Sequence, residues 1–253
     1  MTMPAASTAA PLALFISDLH LQESHPRTAE AFFRFLAERA AHARQLYLLG
    51  DIFEYWAGDD DLDSPLNRRV VQALRSLADA GVKTFWIAGN RDFLVGAEFA
   101  RAAGLTLLAE PHVVTVGGTR IALVHGDAQC TADVKYMAFR AQVREPAWQQ
   151  QFLALPLAQR KQIIAGLREG SRAAHTTKSY EIMDVAPDAV AALFESTGAD
   201  VIIHGHTHRP DLHRYGDKRR YVLPDWELDA DQPRGGWIAL DSEGTITAHP
   251  LDA

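Results

Sequence analysis

Five short clusters in this chain combine oxygen and imidazole side chains, four of them with glycine: Asp18-Leu19-His20, Gly50-Asp51, Gly89-Asn90-Arg91-Asp92, His125-Gly126-Asp127 and His204-Gly205-His206-Thr207-His208. Carboxylates, an amide and imidazoles without thiolates suit borderline or hard divalent ions such as Mn, Fe(II) or Zn, rather than a structural thiolate zinc site. The glycines let the backbone turn sharply beside the ligands. Any one cluster alone reads as an ordinary turn or helix cap. Their combination changes that reading, because each cluster stands directly after an apolar run of strand length. Together the clusters supply the candidate metal ligands.

The runs that must carry these clusters are 12–16, 46–49, 84–88, 120–124 and 201–204, with a further strand at 113–116. Between them, Ala31, Phe32, Phe35, Leu36 and Ala40 recur three and four apart, the spacing of an amphipathic helix over 28–43. A second helical pattern covers 66–80 and stops at Gly81. Such β-α-β alternation predicts a layered α/β domain with ligands beyond the strand ends. Strand-like segments at 221–223, 236–240 and 245–249 are expected to complete a second sheet.

Residues 131–180 break the alternation, being helical in pattern and holding eight Lys or Arg against three Asp or Glu. They read as a helical cap inserted into one domain spanning 12–253. Apolar residues such as Phe139, Trp148, Phe152, Ile164 and Leu167 fit either the cap's own core or an apolar binding surface. The first 11 residues, rich in Ala, Ser and Thr, read as a disordered tail without a signal peptide's basic start and apolar run.

With 253 residues, 47% of them hydrophobic, the chain can bury a substantial core. Its net charge of -7 argues against nonspecific nucleic-acid binding, which requires surplus cations. No run approaches the ~18 apolar residues of a membrane span. The lone Cys130 excludes an intramolecular disulfide framework and reads as structural.

The ordered pattern Asp18-x-His20, Gly50-Asp51, Gly89-Asn90, His125 and Gly205-His206-x-His208 resembles that of the calcineurin-like metallophosphoesterases. The resemblance implies a β-sandwich flanked by helices. It also implies two metals, one held by Asp18, His20, Asp51 and His208, the other by Asp51, Asn90, His125 and His206, which leaves Asp92 and Asp127 to orient the ligands and His204 as a packed neighbour. Asp51 would bridge them, and paired cations of this kind activate water and clamp phosphoryl oxygens. Arg91 stands where this superfamily commonly has His. Arginine cannot donate a proton at neutral pH, so the leaving group should need none, as a departing phosphate monoester does not. Asp51, Asn90, Arg91 and His125 are therefore the catalytic candidates.

More narrowly, Ile16-Ser17-Asp18-Leu19-His20-Leu21, Gly58-Asp59-Asp60-Asp61, Gly89-Asn90-Arg91-Asp92-Phe93-Leu94 and His204-Gly205-His206-Thr207-His208-Arg209-Pro210 resemble the UDP-2,3-diacylglucosamine hydrolases of the bacterial lipid A pathway. That resemblance implies Mn-dependent cleavage of the UDP diphosphate at the cytoplasmic face of the inner membrane, with peripheral contact to the membrane surface and no obligate protein partner. It carries substrate contacts to Asn90, Arg91, Asp133, Ser171, His175, Lys178 and His206. His175 departs from the usual Asn, and Leu223-Pro224-Asp225-Trp226 departs from a Gly-containing turn. Asp133 and Ser171 also read as helix caps. Two other functions fit the same clusters: hydrolysis of a soluble nucleotide diphosphate or dinucleotide, and a non-catalytic metal-binding scaffold.

Overall fold

The computed structural model describes residues 11–116, 118–175 and 184–251. The expected tail therefore lies outside the described residues except for Pro11. The chain runs β1 (Ala13–Ile16), α1 (Pro26–Glu38), β2 (Gln45–Leu48), α2 (Pro65–Asp79), β3 (Lys83–Ile87), α3 (Ala97–Ala103) and β4 (Leu105–Leu108). It continues through β5 (His112–Val116) and β6 (Thr119–Leu123) into α4 (Val134–Arg144), α5 (Pro146–Leu153) and α6 (Leu157–His175). After α7 (Pro187–Thr197) come β7 (Val201–His204), β8 (Leu212–Tyr215), β9 (Lys218–Val222), β10 (Gly236–Leu240) and β11 (Ile246–Pro250).

The strands form two sheets, ordered β11-β10-β1-β2-β3-β4 and β5-β6-β7-β9-β8. Side chains alternate between the faces of a strand, and the sequence puts apolar groups on both. Phe15, Tyr47 and Ile87 of the first sheet meet Ile121, Leu123, Ile203 and Tyr221 of the second. Leu14, Ile16, Leu48 and Trp86 point the other way, onto Phe32 and Phe35 of α1, Leu74 of α2 and Phe99 of α3. Behind the second sheet, Ala122 and Ile202 pack on Val190 and Phe194 of α7. The result is the expected β-sandwich between helices, in which each fully buried large apolar side chain contributes roughly 1.5–3 kcal/mol.

Local signals set the helix ends. Proline opens α1, α2, α5 and α7, where its missing N–H costs nothing. Gly104 and Gly198 close α3 and α7 in the left-handed conformation. The expected helix over 28–43 ends at Glu38, and a separate 3-10 turn follows at Ala40–His42.

The expectation for the C-terminal strands needs correction. β9, which contains the 221–222 part of the expected strand, does join the second sheet, beside β7. β10 and β11 instead extend the first sheet, with β10 antiparallel to β1 in the register Ala13↔Leu240. Pairing with β10 covers the otherwise open edge of β1, whose residues are all buried.

Candidate metal centre

β1, β2 and β3 are parallel neighbours, as are β6 and β7, so their carboxyl ends open on one side of the molecule. The five clusters begin there. Among the described residues, the non-glycine positions with positive φ are Asp18, His20, Asp51, His206 and His208, at φ of 49 to 67°. Left-handed backbone is costly for such residues and persists where surrounding structure compels it. Five of the seven candidate ligands are thus held in a conformation that sequence pattern did not reveal.

Close packing of the loops explains this. A Cβ on Gly89 would lie 2.1 Å from Asp51 Oδ1, and one on Gly205 would lie 2.1 Å from Asp18 Oδ2. Only glycine lets these backbones approach the carboxylates. The Arg91 N–H donates to Asp51 Oδ1 at 2.8 Å, and the His206 N–H donates to Asp18 Oδ2 at 2.9 Å. Asp92 accepts from the Ile52 and Gly89 N–H groups, both at 2.8 Å, tying two ligand loops together. Burial and then the nearby Asp51 charge push its carboxyl up to about 6.

Two groups of ligand atoms result: Asp18, His20 and His208, and Asp51, His125 and His206. In the first, His20 Nε2 and His208 Nε2 face each other at 3.2 Å. Behind them, His20 Nδ1 is 3.2 Å from Glu54 Oε2 and His208 Nδ1 is 3.5 Å from Asp225 Oδ2. Carboxylates so placed favour a proton on Nδ1 and leave both Nε2 lone pairs directed inward. Asp18 Oδ1 adds a third acceptor, buried and without a hydrogen bond. Burial opposes the Asp18 charge, but His208, His125 and His20 outweigh it and hold the carboxyl well below its usual range.

In the second group, His125 Nδ1 donates to the Leu49 carbonyl at 2.8 Å, and its Nε2 faces Asn90 Oδ1 at 3.0 Å and Asp51 Oδ1 at 3.7 Å. His206 Nδ1 lies 2.8 Å from the same Asn90 oxygen. Burial alone would lower the basicity of His125, yet Asp51, Asp18, Asp127 and Glu110 raise its pKa to about 9. His206 goes the other way, to about 3, because burial and the neighbouring His125 disfavour its charge. The seven candidates therefore converge, with Asp51 in the second group and close enough to raise the pKa of His208 in the first, where burial opposes the charge and Asp18 contributes most to the rise.

The supporting residues are sorted by the geometry. Asp127 accepts from Tyr136 Oη at 2.5 Å and Arg140 Nε at 2.8 Å, joining the His125 loop to α4. His204 is 1% exposed, with Nε2 2.9 Å from Arg220 Nη1, and burial and that guanidinium lower its pKa to about 4. It is a packed neighbour, as expected. Cys130 is buried, and burial followed by the acidic neighbours raises its thiol to about 12. Leu223-Pro224-Asp225-Trp226 forms an ordered strap: the Leu223 N–H donates to the His204 carbonyl and the Trp226 N–H to that of Asp18.

Glu54 and Asp225 were missed as supports of His20 and His208. Each follows a strand-end signal already recognised, Glu54 three residues after Asp51 and Asp225 just after the segment at 221–223. Asp133 caps α4 by accepting from the Tyr136 N–H at 3.1 Å. Lys178 and the side chains of Ser171 and His175 lie outside the described residues.

Beside the second group opens a cleft of about 300 Å³ between the core and α4–α6. Asn90, Arg91, Glu54 and Arg168 form its polar end; Phe93, Phe139, Trp148 and Leu167 are among its apolar walls. Arg168 donates to Glu54 Oε1 at 2.6 Å, and Arg91 Nη1 is 3.5 Å from the same oxygen. A family model described as calcineurin-like phosphoesterase matches residues 12–210. The chain belongs to the calcineurin-like phosphoesterases.

Similar proteins narrow the comparison. A relative from Ralstonia nicotianae named UDP-2,3-diacylglucosamine hydrolase is 46% identical over 94% of this chain and 92% of its own. One of the same name from Chromohalobacter salexigens is 48% identical over 88% and 90%, and one from Aromatoleum aromaticum 51% over 86% and 90%. Relative to the core of this phosphoesterase, the cap is clamped by ion pairs. Buried Arg160 pairs with Asp60 and donates to the Ala57 carbonyl; Lys161 pairs with Asp61 at 2.7 Å. Arg144 donates to the Gly89 carbonyl at 2.9 Å. Much of the positive charge concentrated in the cap thus binds the cap to the core.

Proposed function

We propose that this phosphoesterase hydrolyses the diphosphate bond of UDP-2,3-diacylglucosamine to UMP and 2,3-diacylglucosamine 1-phosphate, using two Mn²⁺. The observation that carries this reading is the cleft in which Asn90, Arg91 and Arg168 meet walls of Phe93, Phe139, Trp148 and Leu167. That substrate joins a diphosphate to acyl chains, and the cleft offers cations at one end and apolar surface at the other. The name shared by the relatives described above supports it further.

The donor sets fit divalent cations. An orphaned buried Asp18 oxygen, paired imidazole lone pairs and the shared Asn90 oxygen supply oxygen and nitrogen donors without sulfur, as Mn²⁺ accepts. Asp18, His20 and His208 would hold one ion, and Asn90, His125 and His206 the other, with Asp51 between them. Bound there, the cations supply the charge that activates water and neutralises phosphoryl oxygens.

Arg91 and Arg168 meet the leaving phosphate as fixed cations. Glu54 holds both guanidinium groups at the mouth of the site, and burial opposes its own charge, while His20, Arg91 and Arg168 lower its pKa to about 2. In hydrolysis the water oxygen bonds to phosphorus and the bridging P–O bond breaks. The departing monoester carries the electrons and needs no proton from Arg91, because its second pKa is about 6. The walls exclude water from the acyl chains.

Peripheral attachment to the cytoplasmic face of the inner membrane accompanies this function. No described helix is long and apolar enough to cross a membrane, and Phe139, Leu153, Ile163 and Leu167 are exposed on the cap. Residues 12–253 then act as one domain, with 131–180 as its cap. The test is Mn-dependent release of UMP from UDP-2,3-diacylglucosamine, run beside an unacylated UDP-sugar and a phosphomonoester. Preference for the diacylated substrate supports the reading. Equal turnover of the two UDP compounds would favour a soluble nucleotide diphosphate as substrate.

A further inference from the structure

A second hollow opens on the other flank of Glu54. It is lined by His20, Glu54, Gln22, Ser24, His25 and Glu227, over a floor of Leu19 and Trp226, and has a volume of about 430 Å³. Small-molecule sites commonly measure ~300–1,000 Å³. The floor residues are only 1% and 2% exposed, so the surface it presents is polar. Acyl chains have no place there.

Glu227 gives the hollow its chemistry. Its side chain is 29% exposed, and its Oε1 has no hydrogen-bond donor among the described residues. The nearest candidate, His25 Nε2, stands 3.9 Å away, beyond hydrogen-bond length, while His25 Nδ1 lies 3.0 Å from Ser24 Oγ. The Glu227 backbone is fixed by paired hydrogen bonds with Arg234, at 2.9 and 3.1 Å. The carboxylate lines the hollow, and a vicinal diol supplies two O–H donors to it. Its negative charge repels phosphate, so the group it receives is neutral.

We propose that this hollow takes the nucleoside half of the substrate, with the ribose diol on Glu227 and the base beside Gln22 and Ser24. The proposal rests on the UDP-sugar lipid reading above. It also orders that substrate along the site: acyl chains in the apolar cleft, sugar phosphate at Asn90 and Arg91, scissile bond over the metal groups, and nucleoside beyond His20. Each hollow borders Glu54, which marks the divide between the two ends.

The test uses the Mn-loaded full-length protein and compares inhibition by UMP with inhibition by its 2′,3′-dideoxy analogue. The wild type should bind UMP roughly tenfold more tightly than the analogue, the scale of a lost hydrogen bond to a charged acceptor. Glu227→Gln should weaken UMP by a similar factor, bind both nucleotides alike, and leave inhibition by diacylglucosamine 1-phosphate unaltered. Equal inhibition of the wild type by the two nucleotides overturns the proposal, as does a Glu227→Gln effect shared equally by UMP and the lipid product. The nucleotide comparison on wild type stands even where the variant fails to fold. Should direct titration show UMP binding more tightly than the dideoxy analogue while UDP-2,3-diacylglucosamine is not cleaved, the lipid reading falls and the nucleoside site survives.

Discussion

Around the metal-ligand groups the backbone does the positioning: the Arg91 and His206 N–H groups hold Asp51 and Asp18, and Asp92 ties two loops through further amides. Across the seam between α4–α6 and the core, long side chains do it instead, through Arg160, Lys161, Arg140 and Arg168. Backbone fixing gives strained and closely defined ligands, with the Asp18 and Asp51 carboxylates buried. Side-chain clamping leaves a cleft with half-exposed walls, suited to a large amphipathic ligand. The first region sets the reaction and the second sets what may enter it.

The largest effect should come from breaking the first region alone. Asp51→Ala removes the carboxylate that the Arg91 N–H and the second ligand group share, and kcat is expected to fall by about 10³-fold. Single-turnover kinetics with saturating Mn²⁺ checks this, and a loss below tenfold would remove Asp51 from the reaction. Gly89→Ala tests whether backbone approach matters as much as ligand identity. Its Cβ would meet Asp51 Oδ1 at 2.1 Å, so the variant should lose about 1–3 kcal/mol of stability by denaturant unfolding and bind Mn²⁺ more weakly.

Smaller losses belong to the second region. Arg91→Lys retains charge but loses the planar fork, and kcat/KM should fall about 10- to 100-fold with the diphosphate substrate. Leu167→Ala, on the exposed cleft wall, should raise KM for the diacylated substrate by roughly tenfold and leave an unacylated UDP-sugar unaffected. If both substrates respond alike, the wall shapes the cap rather than the acyl site.

The same contrast explains what was legible in the sequence. Asp18, His20, Asp51, Asn90, His125, His206 and His208 could be named because ligand types recur in fixed order after strand-length apolar runs, in four of five clusters with glycine. The left-handed backbone at five of them could not, since φ depends on how closely two loops approach. In the cap, composition showed basic and apolar residues without showing their partners. Nothing in the sequence named partners for Arg160 and Lys161; the acidic run Asp59-Asp60-Asp61 takes them, through Asp60 and Asp61, each 100 residues from its partner. Asp133 likewise resolved as a helix cap by a contact only three residues distant. Strand pairing was half legible: the apolar alternation located β10 and β11, but nothing local specified that β10 would border β1.

Cys130 sits where the two regions join, its N–H donating to the Asp127 carbonyl at the start of the cap. Its thiol has a folded-state pKa of about 12, raised from 9.0 by burial and nearby carboxylates. A raised folded pKa means that this contribution to stability is complete below pH 9 and is lost as pH rises toward 12. Thiol alkylation at pH 8 should therefore be negligible in the native protein and proceed only with unfolding. In denaturant titrations from pH 9 to 11, the wild type should lose stability more steeply than Cys130→Ala. Parallel slopes for the two proteins would show that the seam opens enough for the thiolate to be solvated, and the cap would then be a moving part rather than a fixed wall.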